Sequence, residues 1–334
     1  MNIKLIRILF FCKIKYLILF FATVLACVAF VYFKGFSFTS NAEKIDKKII
    51  KFVKFTPTFE AMNLAMKKDI ESNGNINWIK ILAYLGTKYA GDFKKFKPKD
   101  ILDYIKKIEN KESAEKIIQN QKLYNYYLEA YSAVLDGFLG KYKTKKEQKE
   151  KYGLITFSPI AKNFFFNHYD DFGAPRSFGY KRPHLGHDIM CSVATPVIAV
   201  ESGIVEALGW NRYGGWRVGL RSKNKKRYWY YAHLMKNRPF NSEIHKGDEI
   251  SAGQVIGYVG RTGYSAKENV NNIDKSHLHF GLQIIFDESQ KEGKNEIWVD
   301  LYAITKLLEK NKSNVLRRKE TKEFFQANEL EILS

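Results

Sequence analysis

Histidine is missing from the first half of the chain, with none before His168, and cysteine is scarce, with three in 334 residues. The first absence leaves the amino-terminal half without an obvious metal or acid–base site. The second removes a disulfide framework, since Cys12 and Cys27 lie in or beside an apolar segment and Cys191 stands alone in the back half. Cys191 follows Asp188 by three residues, which allows a ligand role, but it reads more simply as a small buried hydrophobe. Acidic residues are short as well, 35 against 55 lysines and arginines, for a formal net charge of +20. The charge is mostly lysine, spread over several segments instead of one arginine-rich arm. Nucleic acid, an anionic membrane surface and an anionic wall polymer therefore compete as partners.

Long uncharged runs are lacking too, with one exception. Tyr16 to Phe33 is eighteen residues without a charge, the lower limit for crossing a bilayer as a helix. Residues 1–15 carry Lys4, Arg7, Lys13 and Lys15 and no acid. The expectation is a cytoplasmic basic segment (1–15), a single-pass membrane anchor (16–33) and the rest of the chain on the extracytoplasmic side. That placement argues against nucleic acid. A cleaved signal peptide is the alternative, although the apolar run continues through Val31-Tyr32-Phe33 without a small-residue cleavage site. Val24-Leu25-Ala26-Cys27 is only a faint match to a lipoprotein box.

From 41 to 142 the apolar residues follow helical spacing. Trp78, Ile79, Leu82, Leu85 and Tyr89 form one series, and Ile101, Leu102, Ile105 and Ile108 form another after the helix start Pro98-Lys99-Asp100. A third helix is expected over 123–139. These imply a small helical domain. The lysine-dense stretch 143–152 reads as a linker. From 153 to 303 short β-prone runs such as Pro196 to Val200, Gly203 to Ala207 and Gln254 to Val259 are punctuated by glycine, which predicts a mainly antiparallel sandwich or barrel-like domain. Residues 304–334 read as a closing helix and a charged tail. The fold class is thus α+β.

All seven histidines fall in the β-rich part. In Ser276-His277-Leu278-His279-Phe280, a strand turns His277 and His279 to one face and Leu278 and Phe280 to the other. Upstream, His184-Leu185-Gly186-His187-Asp188 supplies a histidine and a carboxylate four positions apart. Imidazole nitrogen and carboxylate oxygen are the usual non-sulfur zinc ligands, and three protein ligands plus a water describe a catalytic zinc site. His184, Asp188 and His279 fill that role. Tyr231 precedes His233 by two residues, so on a strand it would share that histidine's face, as a hydrogen-bond donor or simply as a core aromatic. His187 reads as a groove-wall or exposed residue, and His168 and His245 as surface histidines.

Taken in order, His184-x-x-x-Asp188, Tyr231-Ala232-His233-Leu234 and His277-x-His279, with Thr195-Pro196-Val197-Ile198-Ala199, Lys246-Gly247-Asp248 and Gly260-Arg261-Thr262-Gly263 between them, resemble the lysostaphin and LytM family of zinc endopeptidases. That family cuts peptide crosslinks in bacterial peptidoglycan. The resemblance covers about 153–303. It implies the duplicated hybrid motif fold, Zn2+ held by His184, Asp188 and His279, and His277 and His233 as catalytic histidines, with their division of labour left open. It also implies a peptidoglycan peptide as substrate; together with the expected anchor, which lies outside the resemblance, this puts the protein at the bacterial cell membrane with its basic surface drawn to anionic wall polymers. Ala266 to Lys275 is a longer link than the family pattern suggests and is expected at the groove rim. The alternative is a non-enzymatic wall-binding or scaffold member of the same fold, although no ligand position is lost here. A biotinyl or lipoyl carrier domain also uses glycine-rich β-strands, but no lysine hairpin of that kind occurs.

Overall fold

The computed structural model describes residue 53 and residues 55–333, with breaks at 145–147, 179 and 292–294. The expected basic segment (1–15) and anchor (16–33) lie outside the described residues. Among the described residues no helix is long and apolar enough to cross a membrane.

The helical layer comprises α1 (Phe59–Glu71), α2 (Trp78–Lys88), α3 (Pro98–Glu109), the short α4 (Ala114–Ile117) and α5 (Gln121–Leu135). Local chemistry starts them: the Thr58 hydroxyl accepts from Ala61 N–H, the Asn77 and Asn120 side chains accept from Lys80 and Leu123 N–H, and Pro98 opens α3 where no N–H is needed. Trp78, Ile79, Leu82 and Leu85 face the core of α2 as their spacing predicts. In α3 only part of the expected series is inside. Ile101 and Ile105 are buried with Tyr104 between them, while Leu102 and Ile108 face solvent.

The ends of the lysine-dense stretch expected as a linker, Lys143 and Thr144 on one side and Lys151 and Tyr152 on the other, lie in paired strands. β1 (Leu139–Thr144) and β2 (Lys151–Leu154) pair antiparallel, with Tyr142 opposite Lys151. The carboxy-terminal strand β17 (Leu330–Leu333) adds to the other side of β1. This ribbon lies at the solvent boundary, so its strands lack the apolar alternation that marks a half-buried sheet. The charged tail is likewise structured: α6 (Tyr302–Leu308) is followed by the hairpin β15 (Val315–Arg317) and β16 (Phe324–Gln326) before β17.

The predominantly antiparallel expectation holds for the main sheet. It has eight strands, in the order β11 (Glu249–Ile250), β8 (Gly203–Asn211), β9 (Gly215–Ser222), β10 (Arg227–Ala232), β13 (His277–Ile284), β6 (His187–Cys191) and β3 (Phe166–Tyr169), with β14 (Ile297–Trp298) paired to the far end of β13. It is an open sheet, ending at β11 and β3, and not a closed barrel. The hairpin of β4 (Pro175–Phe178) and β5 (Tyr180–Pro183) and the pair β7 (Pro196–Ile198) with β12 (Val255–Tyr258) form separate two-stranded sheets.

Helices and sheet share one core instead of two cores joined by a linker. A line of aromatic rings runs from Trp78 of α2 through Phe138 to Trp229 of β10, which stacks on Phe280 of β13 at 5.3 Å. A buried ion pair reinforces it: Arg227 bonds Glu201 through two nitrogens and donates to the Ala133 carbonyl of α5, while Trp229 Nε1 donates to the same Glu201. Phe280 is next to His279. The aromatic line therefore fixes the strand whose opposite face carries the histidines.

Candidate metal centre

β6 and β13 are neighbours in antiparallel register, with His279 opposite Asp188 and His277 opposite Met190. On β13 the side chains alternate as the sequence predicts: Leu278 and Phe280 are fully buried, whereas His277 and His279 open towards the other face. Asp188 shares that face from β6. His184 arrives from the loop between β5 and β6, and a Cβ on Gly186 would stand 2.5 Å from the His279 ring, so this turn passes close enough only with glycine.

The result is a near-equilateral triangle of donor atoms. His184 Nε2 stands 2.9 Å from His279 Nδ1, and each stands 3.1 Å from Asp188 Oδ1. Asp171, just before β4, accepts from His184 Nδ1 at 3.1 Å, which fixes that proton and leaves the Nε2 lone pair facing the triangle. Arg176 of β4 bridges Asp171 and Asp188, reaching Asp188 Oδ2 at 3.3 Å. Three lone-pair atoms this close repel one another unless a proton or a cation lies among them. Ligands about 2.0–2.1 Å from a tetrahedral zinc would be roughly 3.3 Å apart, close to the spacing seen. The donor set therefore fits zinc. Asp171 and Arg176 were missed by sequence reasoning; their only signal was the turn-rich run Asp170-Asp171-Phe172-Gly173-Ala174-Pro175-Arg176 just ahead of the histidine cluster.

Electrostatics follow from this crowding. Burial works to raise the Asp188 carboxyl, but the hydrogen bonds from His184 and His279 win and hold it well below the usual carboxylate range. Burial opposes protonation of His184, yet its bond to Asp188 and that carboxylate's charge raise it above the ordinary imidazole value. His279 is lowered, by burial first, against the pull of Asp188. His233 is pushed well down by burial and by the neighbouring imidazoles.

Two further imidazoles flank the triangle. The His233 ring lies 4.9 Å from that of His277 and 5.7 Å from that of His279. His233 Nδ1 pairs with the Thr262 carbonyl at 2.8 Å and His277 Nδ1 with the Lys275 carbonyl at 2.9 Å. A carbonyl only accepts, so both Nδ1 atoms carry the proton and both Nε2 atoms are left for chemistry. Thr262, from the Gly260-Arg261-Thr262-Gly263 turn, is itself pinned by donating to Leu234 O at 2.6 Å.

Several expectations are corrected here. Tyr231 does not share the groove with His233: it is fully buried, its ring lies against Phe280 and its hydroxyl accepts from Val200 N–H. The two-residue alternation fails because β10 ends at Ala232 and His233 has a left-handed backbone, φ +60°. Tyr228 and Tyr230 line the groove instead. His187 is neither groove wall nor exposed; it points to the opposite face of β6 from Asp188 and is buried, its pKa pushed down to about 3 by burial and then by His168. His168 is not a free surface residue, for it joins His187 Nε2 (2.8 Å) to Glu309 (2.7 Å) after α6. His245 is exposed as expected. Cys191 is buried on the core side of β6, away from the donor triangle.

The donor triangle lies between two cavities. One, of about 430 Å³, is lined by His184, His233 and His279 with Arg182, Arg217, Tyr213, Tyr230 and Trp298. The other, of about 460 Å³, is lined by Asp188 and His277 with Asn272 to Lys275, so the long link does form part of the rim. Arg176 and Tyr264 border both.

Comparison with known proteins agrees with this geometry. Peptidase family M23 matches residues 182–293. The L-Ala–D-Glu endopeptidase of Bacillus subtilis (strain 168) is 34% identical over 165 residues, 48% of this chain and 47% of that protein. Lysostaphin of Staphylococcus simulans is 38% identical over 98 residues, 29% of this chain and 17% of that protein. The matched part thus spans less than half the length of either curated relative. A solved lytM chain from Ruminococcus gnavus ATCC 29149 superposes with a TM-score of 0.54 at 23% identity, covering 78% of this chain and 91% of that one, a likeness of fold. Residues 182–293, which carry the donor triangle and both flanking imidazoles, match peptidase family M23 and are similar in sequence to lysostaphin.

Proposed function

We propose that the chain is a zinc metalloendopeptidase that hydrolyses peptide bonds of bacterial peptidoglycan, with His184, Asp188 and His279 as the metal ligands and His233 and His277 as the catalytic histidines. The observation that carries this reading is the triangle of donor atoms flanked by two imidazoles whose Nδ1 protons are both committed to backbone carbonyls. When bound, zinc supplies a Lewis acid that polarises the scissile carbonyl and lowers the pKa of water towards neutrality. The rest is the chain's own work. An imidazole Nε2 at His233 or His277 takes the proton of the attacking water and returns it to the leaving amine. The other, once protonated, offers an N–H to the oxyanion of the tetrahedral intermediate. Asp171 holds the His184 ring in one tautomer, and the backbone carbonyls of Thr262 and Lys275 do the same for His233 and His277, so little reorganisation is needed at the moment of reaction.

The same proposal places the domain outside the cytoplasm, held at the membrane by residues 16–33, with the basic surface concentrating it on anionic wall polymer. His184→Ala and His279→Ala should each abolish release of peptides from peptidoglycan by the full chain. Undiminished release by either variant would refute the assignment, and retained wall binding by wild-type protein without any release would favour a scaffold.

A further inference from the structure

We infer that Arg176 is a positioning residue for the metal: it engages Oδ2 of Asp188, so that this carboxylate offers the cation one oxygen, Oδ1, and a coordination position stays open for water and substrate. The inference rests on the metal-ligand assignment of the endopeptidase reading and concerns how that site is kept open.

The two oxygens of Asp188 divide their contacts. Oδ1 stands 3.1 Å from both His184 Nε2 and His279 Nδ1, whereas Oδ2 accepts from Arg176 Nη2 at 3.3 Å. Asp171 is divided in the same way, its Oδ1 accepting from His184 Nδ1 at 3.1 Å and its Oδ2 from Arg176. Both contacts of Arg176 run through one nitrogen, Nη2. The chain of contacts therefore closes on itself, from Arg176 through Asp171 to His184, on to Asp188 and back. Arg176 lies on β4, whose partner β5 leads directly into His184, and it borders both cavities. It thus reaches the triangle from the rim, its side chain 30% exposed.

The consequence is physical. A carboxylate with a free second oxygen can bind a cation through both. Two-oxygen binding by Asp188 would fill the position that a catalytic zinc site keeps for water and the scissile carbonyl. A charge-assisted hydrogen bond from the guanidinium holds Oδ2 away from that position. The arrangement lowers metal affinity, because a cation this close repels a metal ion. Removing Arg176 should therefore leave metal binding as tight or make it tighter. A residue that only braced the β4–β5 hairpin would act in the opposite direction, since its loss would loosen His184 and weaken the site.

The test loads the full chain, wild type and Arg176→Gln, with Zn2+ and separately with Co2+, whose visible absorption is strong in four-coordinate sites and weak at higher coordination. The inference predicts zinc affinity held or raised in Arg176→Gln, cobalt absorption weakened by the added oxygen, and turnover of peptidoglycan at saturating substrate lowered about 10- to 100-fold. In Arg176→Lys a single ammonium can take the place of Nη2, so the wild-type cobalt spectrum and most of the turnover should return. An unchanged cobalt spectrum in Arg176→Gln, or lower zinc affinity there without rescue by lysine, overturns the inference and leaves the endopeptidase reading standing. Failure of the wild-type chain to bind either metal overturns both.

Discussion

Asp69 in the helical layer and Asp188 in the groove are both carboxylates taken largely out of water, and their surroundings divide structure from chemistry. Asp69 accepts from the Trp78 N–H at the start of α2 and from the Tyr152 hydroxyl of β2. Burial dominates there and raises its pKa. Asp188 meets His184 and His279, with His277 Nε2 at 3.7 Å, and is driven the other way. Glu201 likewise meets fixed donors, Arg227 and Trp229, and Arg227 also donates to the Ala133 carbonyl of α5, tying that helix to the sheet. A buried carboxylate alone marks no site. Convergence of several lone-pair atoms on one point does.

The comparison can be broken by removing each partner in turn. Arg227→Ala strands the Glu201 carboxylate in the core, and chemical denaturation should show about 3–5 kcal/mol of lost stability, the usual cost of breaking a buried pair. A loss below about 1 kcal/mol would mean that this pair is not what joins helices to sheet. Asp171→Asn keeps the shape but weakens the hold on the His184 tautomer. Zinc affinity, measured by competition with a chromogenic chelator, should drop about 10- to 100-fold while the unfolding midpoint of the metal-free protein hardly moves.

Asp69→Ala leaves the Trp78 N–H and the Tyr152 hydroxyl without their acceptor, at about 1–3 kcal/mol, and should leave zinc content unchanged. Its pH dependence has a definite sign. The folded-state pKa of Asp69 lies above the unfolded value, so the native state holds this proton more tightly. The wild-type advantage over Asp69→Ala should therefore widen as pH falls from neutrality through that raised pKa, and reach its full extent below the unfolded value. A gap that narrows with acidification would show that hydrogen bonds to the charged form, not burial, dominate at Asp69.

Much of the site was legible because β13 obeys a simple rule. Alternation put His277 and His279 on one face, and the register with β6 brings Asp188 opposite His279. The same rule misplaced Tyr231, because the strand ends one residue before His233 and a left-handed backbone re-aims that ring. Asp171 and Arg176 escaped notice because a turn carries no periodicity, and their partners lie up to 13 residues away in sequence. His168 and His187 seemed peripheral for want of their third partner, Glu309, which is 141 residues from His168. The ribbon of β1, β2 and β17 was hidden by its lysines: strands at the solvent boundary are held by backbone pairing, which composition does not record.

The most direct test of the central claim is mass spectrometry of peptidoglycan incubated with the full chain, with zinc present, with a zinc chelator, and with zinc restored. The account predicts new peptide termini that vanish on chelation and return with zinc. Release that persists at full rate in the chelator, with the metal shown to be gone, would contradict it.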